Sequence, residues 1–445
     1  MSAVTDDEPA PGGWLARLIE RVAQVRRGEM ALLLWSFFYF FCLLAAYYMV
    51  RPLRDEMAVQ YGVERMQHLF SGTFVTMVAL IPAFGWVASR LAVQRLLPLV
   101  YGIVIAVLLL FWAALRGGAS QVEVAPYFFV FVSVFNLFVI SVFWSFMADI
   151  WSTEAARRLF GVISAGGSLG AIAGPGAAGV LVQSTGLSGL LLASAGTLAL
   201  ALLCIWALLK LSGRRGVLTR TDGGEPKASL WTGVIRVARS PYLLGIAVFV
   251  LSYTVLGTLL YFLQVSLVGS AISDSTERTR LFANVDLAVN ALTLLLQFFV
   301  TGRLLSRIGA TAMLVALPAL SVIGFVALGL WTLLPVLVVV GVLRRAGEFA
   351  ISKPTRETLF TVVDHDDKYQ AKNVIDTVIH RGGDAGASWF TAALKAAGLS
   401  LSGMAWVGVP IAVGWLLVAW VLGQAHERRR AALGQRDDAR SASHS

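Results

Sequence analysis

The sequence has few charged residues and almost no cysteine. Only 14% of its 445 residues are charged, whereas 57% are hydrophobic; a soluble globular chain carries about 25% charged residues. A chain this apolar cannot be solvated by water as one compact body, so its expected solvent is lipid. The two cysteines, Cys42 and Cys204, lie within apolar runs and form neither a disulfide framework nor a metal-binding spacing. They are interpreted as small buried hydrophobic residues.

Motifs for nucleotide hydrolysis and metal catalysis are also missing. There is no phosphate-loop pattern, no HExxH and no Cys/His cluster. The chain is therefore not expected to be an enzyme or to carry a metal or cofactor. No cleavable signal is expected either, because the first 28 residues are polar and basic and the first apolar run is too long for a signal-peptide core.

Apolar runs of about 20 residues recur along the whole chain, and that length spans a hydrocarbon core as a helix. In lipid every backbone amide needs an internal partner, which favours helices. The sequence predicts an all-α membrane protein with twelve transmembrane helices. The predicted spans are 29–55, 68–89, 95–115, 124–148, 160–183, 187–209, 241–268, 281–302, 310–331, 335–361, 371–395 and 402–423.

Basic residues are concentrated in alternate loops. They follow the positive-inside rule, whereas the opposite loops near 184–187 and 397–401 have no charge. Both termini are therefore predicted to be cytoplasmic, and topology explains the net charge of +10 without a nucleic-acid partner. The predicted segments are an N-terminal segment 1–28 with an interfacial helix, a six-helix half 29–209, a cytoplasmic linker 210–240, a second half 241–423 and a tail 424–445.

The two halves repeat each other. Gly85, Ser89 and Arg90 after span 2 match Gly302, Ser306 and Arg307 after span 8, at an offset of 217. Residues 165–170 of span 5 match 381–386 of span 11, at an offset of 216. Two matches at nearly one offset indicate pseudo-symmetric six-helix halves. This organisation resembles the major facilitator fold, in which the substrate binds near the midplane between the halves.

Span 5 is rich in glycine. Gly161, Gly170, Gly174-Pro175 and Gly179 resemble the span-5 motif of major facilitator antiporters, although Ala178 replaces one of its glycines. Small residues at this spacing also allow generic close packing with another helix. The motif therefore favours a transporter that exchanges solutes. Alternatively, it indicates only that two helices pack closely.

Span 10 has the highest density of charge. It contains Arg344, Arg345, Glu348, Lys353, Arg356 and Glu357. Charges within a span cost about 2.5–3.5 kcal/mol each and should face an aqueous cavity in pairs. Arg345 and Arg356 are eleven residues apart, so a regular helix would place them on one face about 16 Å apart. Arg344 and Glu348 have the spacing of an ion pair. The alternative is that the segment from Lys353 onward is a cytoplasmic loop.

Further polar residues lie in spans 1, 8 and 11. Asp376, His380 and Asp384 recur every four residues, so they could relay protons or could pair structurally with Arg381. Asp286 in span 8 is either a cavity acid or the partner of a basic residue on another span. The segment 51–56, Arg-Pro-Leu-Arg-Asp-Glu, is either a helix cap or part of a site.

Three segments together resemble the bacterial branch of the ATP/ADP translocase family. They are 51–55, 152–161 and 368–384, and the likeness extends over roughly 30–423. The resemblance implies a nucleotide exchanger in which Arg54, Glu154 and Arg381 contact the substrate, with Asp286 as a loose fourth match. The established exchangers have lysine at the positions of Arg54 and Arg381. Arginine forms bidentate contacts with phosphate or carboxylate, whereas lysine is a point charge.

These observations lead to one functional prediction and two alternatives. The prediction is a monomeric secondary transporter of the bacterial inner membrane that exchanges anionic, phosphorylated solutes by alternating access. The alternatives are a proton-coupled carrier of another organic anion or small metabolite, and a membrane subunit that transports nothing. The predicted substrate-binding residues are Arg51, Arg54, Glu154, Arg344, Arg345, Glu348, Arg356, Arg381 and Asp384, and the predicted relay residues are Asp286, Asp376 and His380.

Overall fold

The computed structural model describes residues 25–26, 29–213, 230–363, 371–372 and 374–442. The interfacial helix predicted within 1–28 lies outside these residues, except for 25–26. The central part of the predicted linker, 214–229, also lies outside them. The described chain is helical throughout, in agreement with the predicted fold class.

Six helices form the first half. Four are uninterrupted: α1 is Glu29–Tyr61, α2 is Met66–Arg90, α3 is Val93–Arg116 and α4 is Gln121–Ile150. The helical run Thr153–Gly213 contains two spans, because Gly186 breaks it with a φ of 67°. Glycine enters this left-handed region at little steric cost. The run is therefore α5, 153–185, and α6, 187–213.

The second half is less regular. A short amphipathic helix, α7, Leu230–Arg239, leads into α8, Pro241–Ala271. Helix α9 is Ser275–Leu296 and continues through a π-helical turn, Gln297–Thr301, to the break at Gly309. Helix α10 is 310–330. Helix α11 begins at Leu334–Gly347, continues through a π-turn, Glu348–Ser352, and ends with the segment Lys353–Leu359. Helix α12 is π-helical over Val374–Ile379 and α-helical over His380–Ala396. Helix α13 is Leu401–Ala442.

The prediction of twelve spans is confirmed. Nine helical runs among the described residues are long and apolar enough to cross a membrane, and one of these is the double run Thr153–Gly213. The other two spans, α11 and α12, are interrupted by π-turns and carry most of the intramembrane charge. Their longest α-helical pieces have 14 and 17 residues, which is shorter than the other spans.

The glycine ridge of α5 packs against α1. A Cβ atom on Gly166 would lie 2.4 Å from the Phe37 carbonyl oxygen, and one on Gly170 would lie 2.3 Å from that of Phe41. Only hydrogen fits at such a backbone-to-backbone approach. The equivalent contact in the second half is looser, since a Cβ on Gly383 would meet Leu251 of α8 at 3.0 Å. Both halves therefore use the same pair of helices, in agreement with the internal repeat.

Each half has its own hydrophobic core. One core is built from buried side chains of α1 and α3 to α6, and the other from α7, α8 and α10 to α13. The free cysteines Cys42 and Cys204 are both buried in the first core. Two smaller apolar clusters join the halves, one around Phe129 and Phe262 and one around Val182 and Ala283.

Ion pairs also join the halves at one end of the bundle, which we call the closed end: the end at which α1 finishes at Tyr61 and α8 finishes at Ala271. There Arg278 Nε donates to Glu56 Oε2 at 2.7 Å, with both side chains buried. Close by, Lys395 Nζ lies 2.7 Å from Glu64 Oε1. In addition, Trp389 Nε1 donates to Ser71 Oγ at 2.9 Å. The two halves are thus fastened together at the closed end.

Candidate functional site

A cavity of about 240 Å³ lies between the halves. Its wall is formed by α1, α2 and α4 of the first half and by α8, α11 and α12 of the second. The charged residues that line it are Arg51, Arg54, Asp55, Arg344, Arg345, Arg381 and Asp384. The cavity is therefore shared between the two halves and has five guanidinium groups in its wall.

The polar residues lie near the middle of the membrane. Arg51 is ten residues before the end of α1, Asp286 is eleven after the start of α9, and Arg345 is eleven after the start of α11. At 1.5 Å per residue each lies about 15–17 Å from the closed end, half the thickness of a hydrocarbon core of about 30 Å. Three helices that run in different directions thus bring their charges to one depth.

Asp286 lies between two of the arginines. Its Oδ1 atom accepts a hydrogen bond from Arg345 Nη2 at 2.7 Å and is 3.0 Å from Arg51 Nη1. The carboxylate is 1% exposed, and its Oδ2 atom makes no hydrogen bond with any residue that the structure describes. Asp286 is thus the partner of basic residues on two other spans, which is one of the two roles that its sequence context left open.

Arg54 is held within the first half. Its Nη2 atom donates to Asp55 Oδ1 at 2.6 Å, and its guanidinium carbon lies 5.0 Å from the centre of the Phe129 ring. Tyr261 of α8 donates its hydroxyl to the same carboxylate oxygen at 2.9 Å. The guanidinium is thus fixed by an ion pair and an aromatic face, the arrangement that suits arginine better than lysine.

Arg381 and Asp384 are neighbours on α12. Arg381 Nη1 is 3.5 Å from Asp384 Oδ2, and His380 Nδ1 is 3.6 Å from the same oxygen. Thr258 of α8 donates to Asp384 Oδ1 at 3.3 Å. His380 and Asp384 of the predicted stripe thus lie in the cavity wall beside Arg381, whereas Asp376 does not line the cavity and pairs with Arg356.

Arg344 has no carboxylate among the partners that hold it. Its Nη2 atom donates to the Tyr253 carbonyl oxygen at 2.8 Å, and its guanidinium carbon lies 4.9 Å from the Tyr253 ring centre. Its Nε atom is buried and makes no hydrogen bond. The structure therefore gives Arg344 a different partner from the predicted Glu348. Glu348 instead lines a neighbouring pocket, where its Oε2 atom is buried and has no hydrogen bond to a described residue.

Four predicted site residues lie away from this cavity: Arg356, Glu348, Asp376 and Glu154. The π-turn of α11 separates Arg356 from Arg345: Arg356 pairs with Asp376 at 3.0 Å and, with Glu348, lines a smaller adjacent pocket. The expectation that the two arginines share one face is corrected accordingly. Glu154 lies at the start of α5, where it is 67% exposed and pairs with Arg26. Residue 153 begins a new helix at the end of the bundle, so Glu154 lies outside the central cavity, and its predicted contact with the substrate stays a prediction.

Aromatic residues of the cavity wall were missed by sequence reasoning. Six rings line it: Phe70, Phe74, Phe129, Tyr253, Tyr261 and Phe349. Tyr253 and Tyr261 are eight residues apart, so they lie on one face of α8 about two turns from each other. Two tyrosines at this spacing within an apolar span could have identified this face of α8 as part of the cavity wall.

The cavity is basic in sum. Its five arginines face the carboxylates of Asp55 and Asp384 in the wall and of Asp286 behind it, which leaves two positive charges uncompensated. Buried charge of one sign is costly unless a counterion is present. Guanidinium groups beside aromatic rings can bind an anionic group and stack on a planar one. The geometry thus describes a protein of two helical halves with a basic central cavity.

Comparison with known proteins agrees with this architecture. Residues 12–359 match the Major Facilitator Superfamily, and the chain belongs to that superfamily of transporters. An auto-inhibited peptide transporter of the POT family has a similar structure, with a TM-score of 0.57 and 14% identity over 89% of this chain and 97% of that one. A bacterial homologue of the human lysosomal transporter Spinster, inward-facing and unoccupied, aligns with a TM-score of 0.50 and 14% identity over 91% and 97%. No curated protein matched in sequence.

Proposed function

We propose that this chain is a secondary transporter that exchanges small anionic solutes by alternating access. The observation that carries the proposal is the basic surplus of the central cavity, five guanidiniums against three carboxylates, at mid-depth between the halves. An anion bound there contacts both halves and relieves their mutual repulsion. That difference in affinity between open and closed arrangements is what a ligand needs to drive a conformational change.

Within anionic solutes we favour phosphorylated, nucleotide-type substrates. Support comes from the resemblance to the ATP/ADP translocase family and from the pairing of arginines with aromatic rings, which suits a phosphate joined to a planar base. The site that we propose consists of Arg51, Arg54, Arg344, Arg345, Arg381 and Asp384. Arg356 and Glu348 line the neighbouring pocket and are proposed to guide the solute rather than to hold it.

The proposal includes an orientation. From the positive-inside pattern we propose that the carrier has both termini in the cytoplasm of a bacterial cell and its closed end at the periplasm. We propose that it works in the inner membrane as a monomer.

A proton-coupled carrier is the second candidate, and one observation favours it. His380 and Asp384 meet in the cavity wall at 3.6 Å, and His380 Nδ1 is buried without a hydrogen bond. A proton taken up at this pair would neutralise Asp384 and leave Arg381 free for the solute.

Uptake into proteoliposomes distinguishes the two candidates. The vesicles are loaded with nucleotides or organic acids in turn, and uptake of the labelled solute is followed with and without a pH gradient. Exchange predicts uptake that rises severalfold with internal solute and is insensitive to an uncoupler. Uptake that collapses with the gradient and ignores internal solute would favour the proton-coupled carrier.

Variants of Arg381 test the site. Arg381→Ala is expected to abolish transport while the protein still inserts, and Arg381→Lys keeps partial activity only if charge alone suffices. The control is Arg116→Ala at the end of α3, an exposed arginine outside the cavity. Full transport by Arg381→Ala would remove Arg381 from the site.

A further inference from the structure

One ion pair beside the cavity crosses between the halves. Asp286, behind the cavity wall, belongs to α9 of the second half, whereas Arg51 belongs to α1 of the first. The carboxylates of the wall itself pair with arginines of their own half: Asp55 with the adjacent Arg54, and Asp384 with Arg381 one turn away. Those local pairs can persist whichever way the halves tilt. The pair between Arg51 and Asp286 depends on the relative position of the halves.

One carboxylate oxygen serves both guanidiniums. Asp286 Oδ1 is 3.0 Å from Arg51 Nη1 and 2.7 Å from Arg345 Nη2, while Oδ2 is buried and makes no hydrogen bond. Arg51 and Arg345 both line the cavity, so each can reach a solute there. Because only one of its two oxygens accepts hydrogen bonds, Asp286 binds the two guanidiniums more weakly than a bidentate anion would.

Asp286 therefore presents to Arg51 and Arg345 the same chemistry as an anionic solute. Without it, two buried guanidiniums from opposite halves would face each other and push the halves apart. With it, the halves can approach although no solute is bound.

We propose that Asp286 is an internal counterion that competes with the solute anion for Arg51 and Arg345, and so allows the carrier to close when it is empty. This inference rests on the proposed transport of anions and deepens it. The unaltered carrier exchanges one solute for another, but it can also return empty. Removal of the Asp286 charge should block the empty return and make uptake depend strictly on internal solute.

The direct test measures the separation of the halves without any solute. Spin labels are attached at Ser120 and Ala397, two exposed positions that precede α4 and follow α12 at the closed end. The native cysteines are buried and should not be labelled. The unaltered carrier should give one short distance. Asp286→Asn should add a longer distance and raise the ratio of open to closed molecules at least severalfold.

Two further variants separate this effect from general damage. Glu29→Gln removes a carboxylate that pairs with Arg158 within the first half, and it should leave the distance unchanged. The double variant Arg51→Gln, Asp286→Asn removes both charges of the crossing pair, so it should again give the short distance between the labels. A misfolded protein would not recover that distance.

Probe anions test the competition. Inorganic phosphate, pyrophosphate and ADP are added to the Asp286→Asn variant, and at least one of them should restore the short distance because two guanidiniums are then available. A variant with the same distances as the unaltered carrier would overturn the proposal, as would an open variant that none of the three anions closes. Failure of the proposed function would be seen in a different experiment, in which vesicles that contain the unaltered carrier would take up none of the tested solutes.

Discussion

At the scale of single residues, the cavity arginines differ in what holds them. Arg54 and Arg381 each have a carboxylate of their own half, whereas Arg344 has a backbone carbonyl and the face of Tyr253. A planar guanidinium can donate hydrogen bonds at its edge while stacking on a ring, which an ammonium cannot do. Substitution by lysine is therefore not conservative at these positions.

Replacement of Arg344 by lysine tests this point. Arg344→Lys should lower the free energy of unfolding by about 1–2 kcal/mol, because a buried cation–π contact and the bond to the Tyr253 carbonyl are weakened. The matched control is Arg90→Lys, since Arg90 stacks at 4.0 Å on the ring of the exposed Trp86. The control should lose less than about 1 kcal/mol. Thermal unfolding in detergent measures both, and equal losses would contradict the explanation.

The glycines of α5 give a second prediction at this scale. Gly170→Ala should destabilise the first half by about 1–3 kcal/mol, because its methyl group would overlap the Phe41 carbonyl oxygen of α1. A Cβ atom on Gly176, six residues further along, meets nothing within 4 Å, so Gly176→Ala should be neutral or stabilising. The melting temperatures of the two variants, measured side by side, check the difference. A loss that is the same at both positions would mean that helix packing is not the cause.

At the scale of elements, three spans of the second half contain π-turns: α9, α11 and α12. Each turn adds a residue to the helical cycle and rotates everything that follows. The sequence predicted the existence of these spans from apolar length and charge. It could not predict their phase, and for that reason Arg356, which follows a π-turn, lines the neighbouring pocket rather than the cavity wall. The positions before the π-turn, Arg344 and Arg345, were placed in the cavity wall as expected.

The break between α5 and α6 depends on a single residue, Gly186. Gly186→Ala should cost about 1–2 kcal/mol, because alanine is strained at a φ of 67° although nothing lies within 4 Å of the added methyl group. Gly196→Ala within α6 also has open space but a helical backbone, so it should be neutral or stabilising. Unfolding of the two variants by heat or denaturant compares them. A neutral Gly186→Ala would show that the turn can relax.

At the scale of the whole molecule, the halves are separate cores fastened at the closed end. The repeat at offsets of 216 and 217 made this architecture predictable, since each half had to bury its own apolar faces. The fold and the number of spans were thus available from the sequence. The partners across the interface were not, because Glu56 with Arg278 and Asp286 with Arg51 are separated by more than two hundred residues and follow no local spacing rule.

The fastening at the closed end yields a fourth prediction. Arg278→Ala leaves Glu56 buried and unpaired, which should cost about 3–5 kcal/mol and lengthen the distance between labels at Ser120 and Ala397. Lys395→Ala breaks a pair whose acid, Glu64, is 74% exposed, so it should cost less than about 1 kcal/mol and leave the distance unchanged. Exchange of the charges, Glu56→Arg with Arg278→Glu, should recover part of the loss. Two single variants that behave alike would contradict a buried lock.

The separation of the two cores also has a consequence for how substitutions combine. Residues more than about 7–10 Å apart with no shared partner have additive effects on stability. In a scan of double substitutions, two core substitutions in different halves should therefore have additive effects on stability. Two core substitutions in the same half should have non-additive effects. Strong coupling between the halves should be confined to the closed end and to the positions around Asp286. A genetic map of this kind would trace the boundary between the halves from growth data alone.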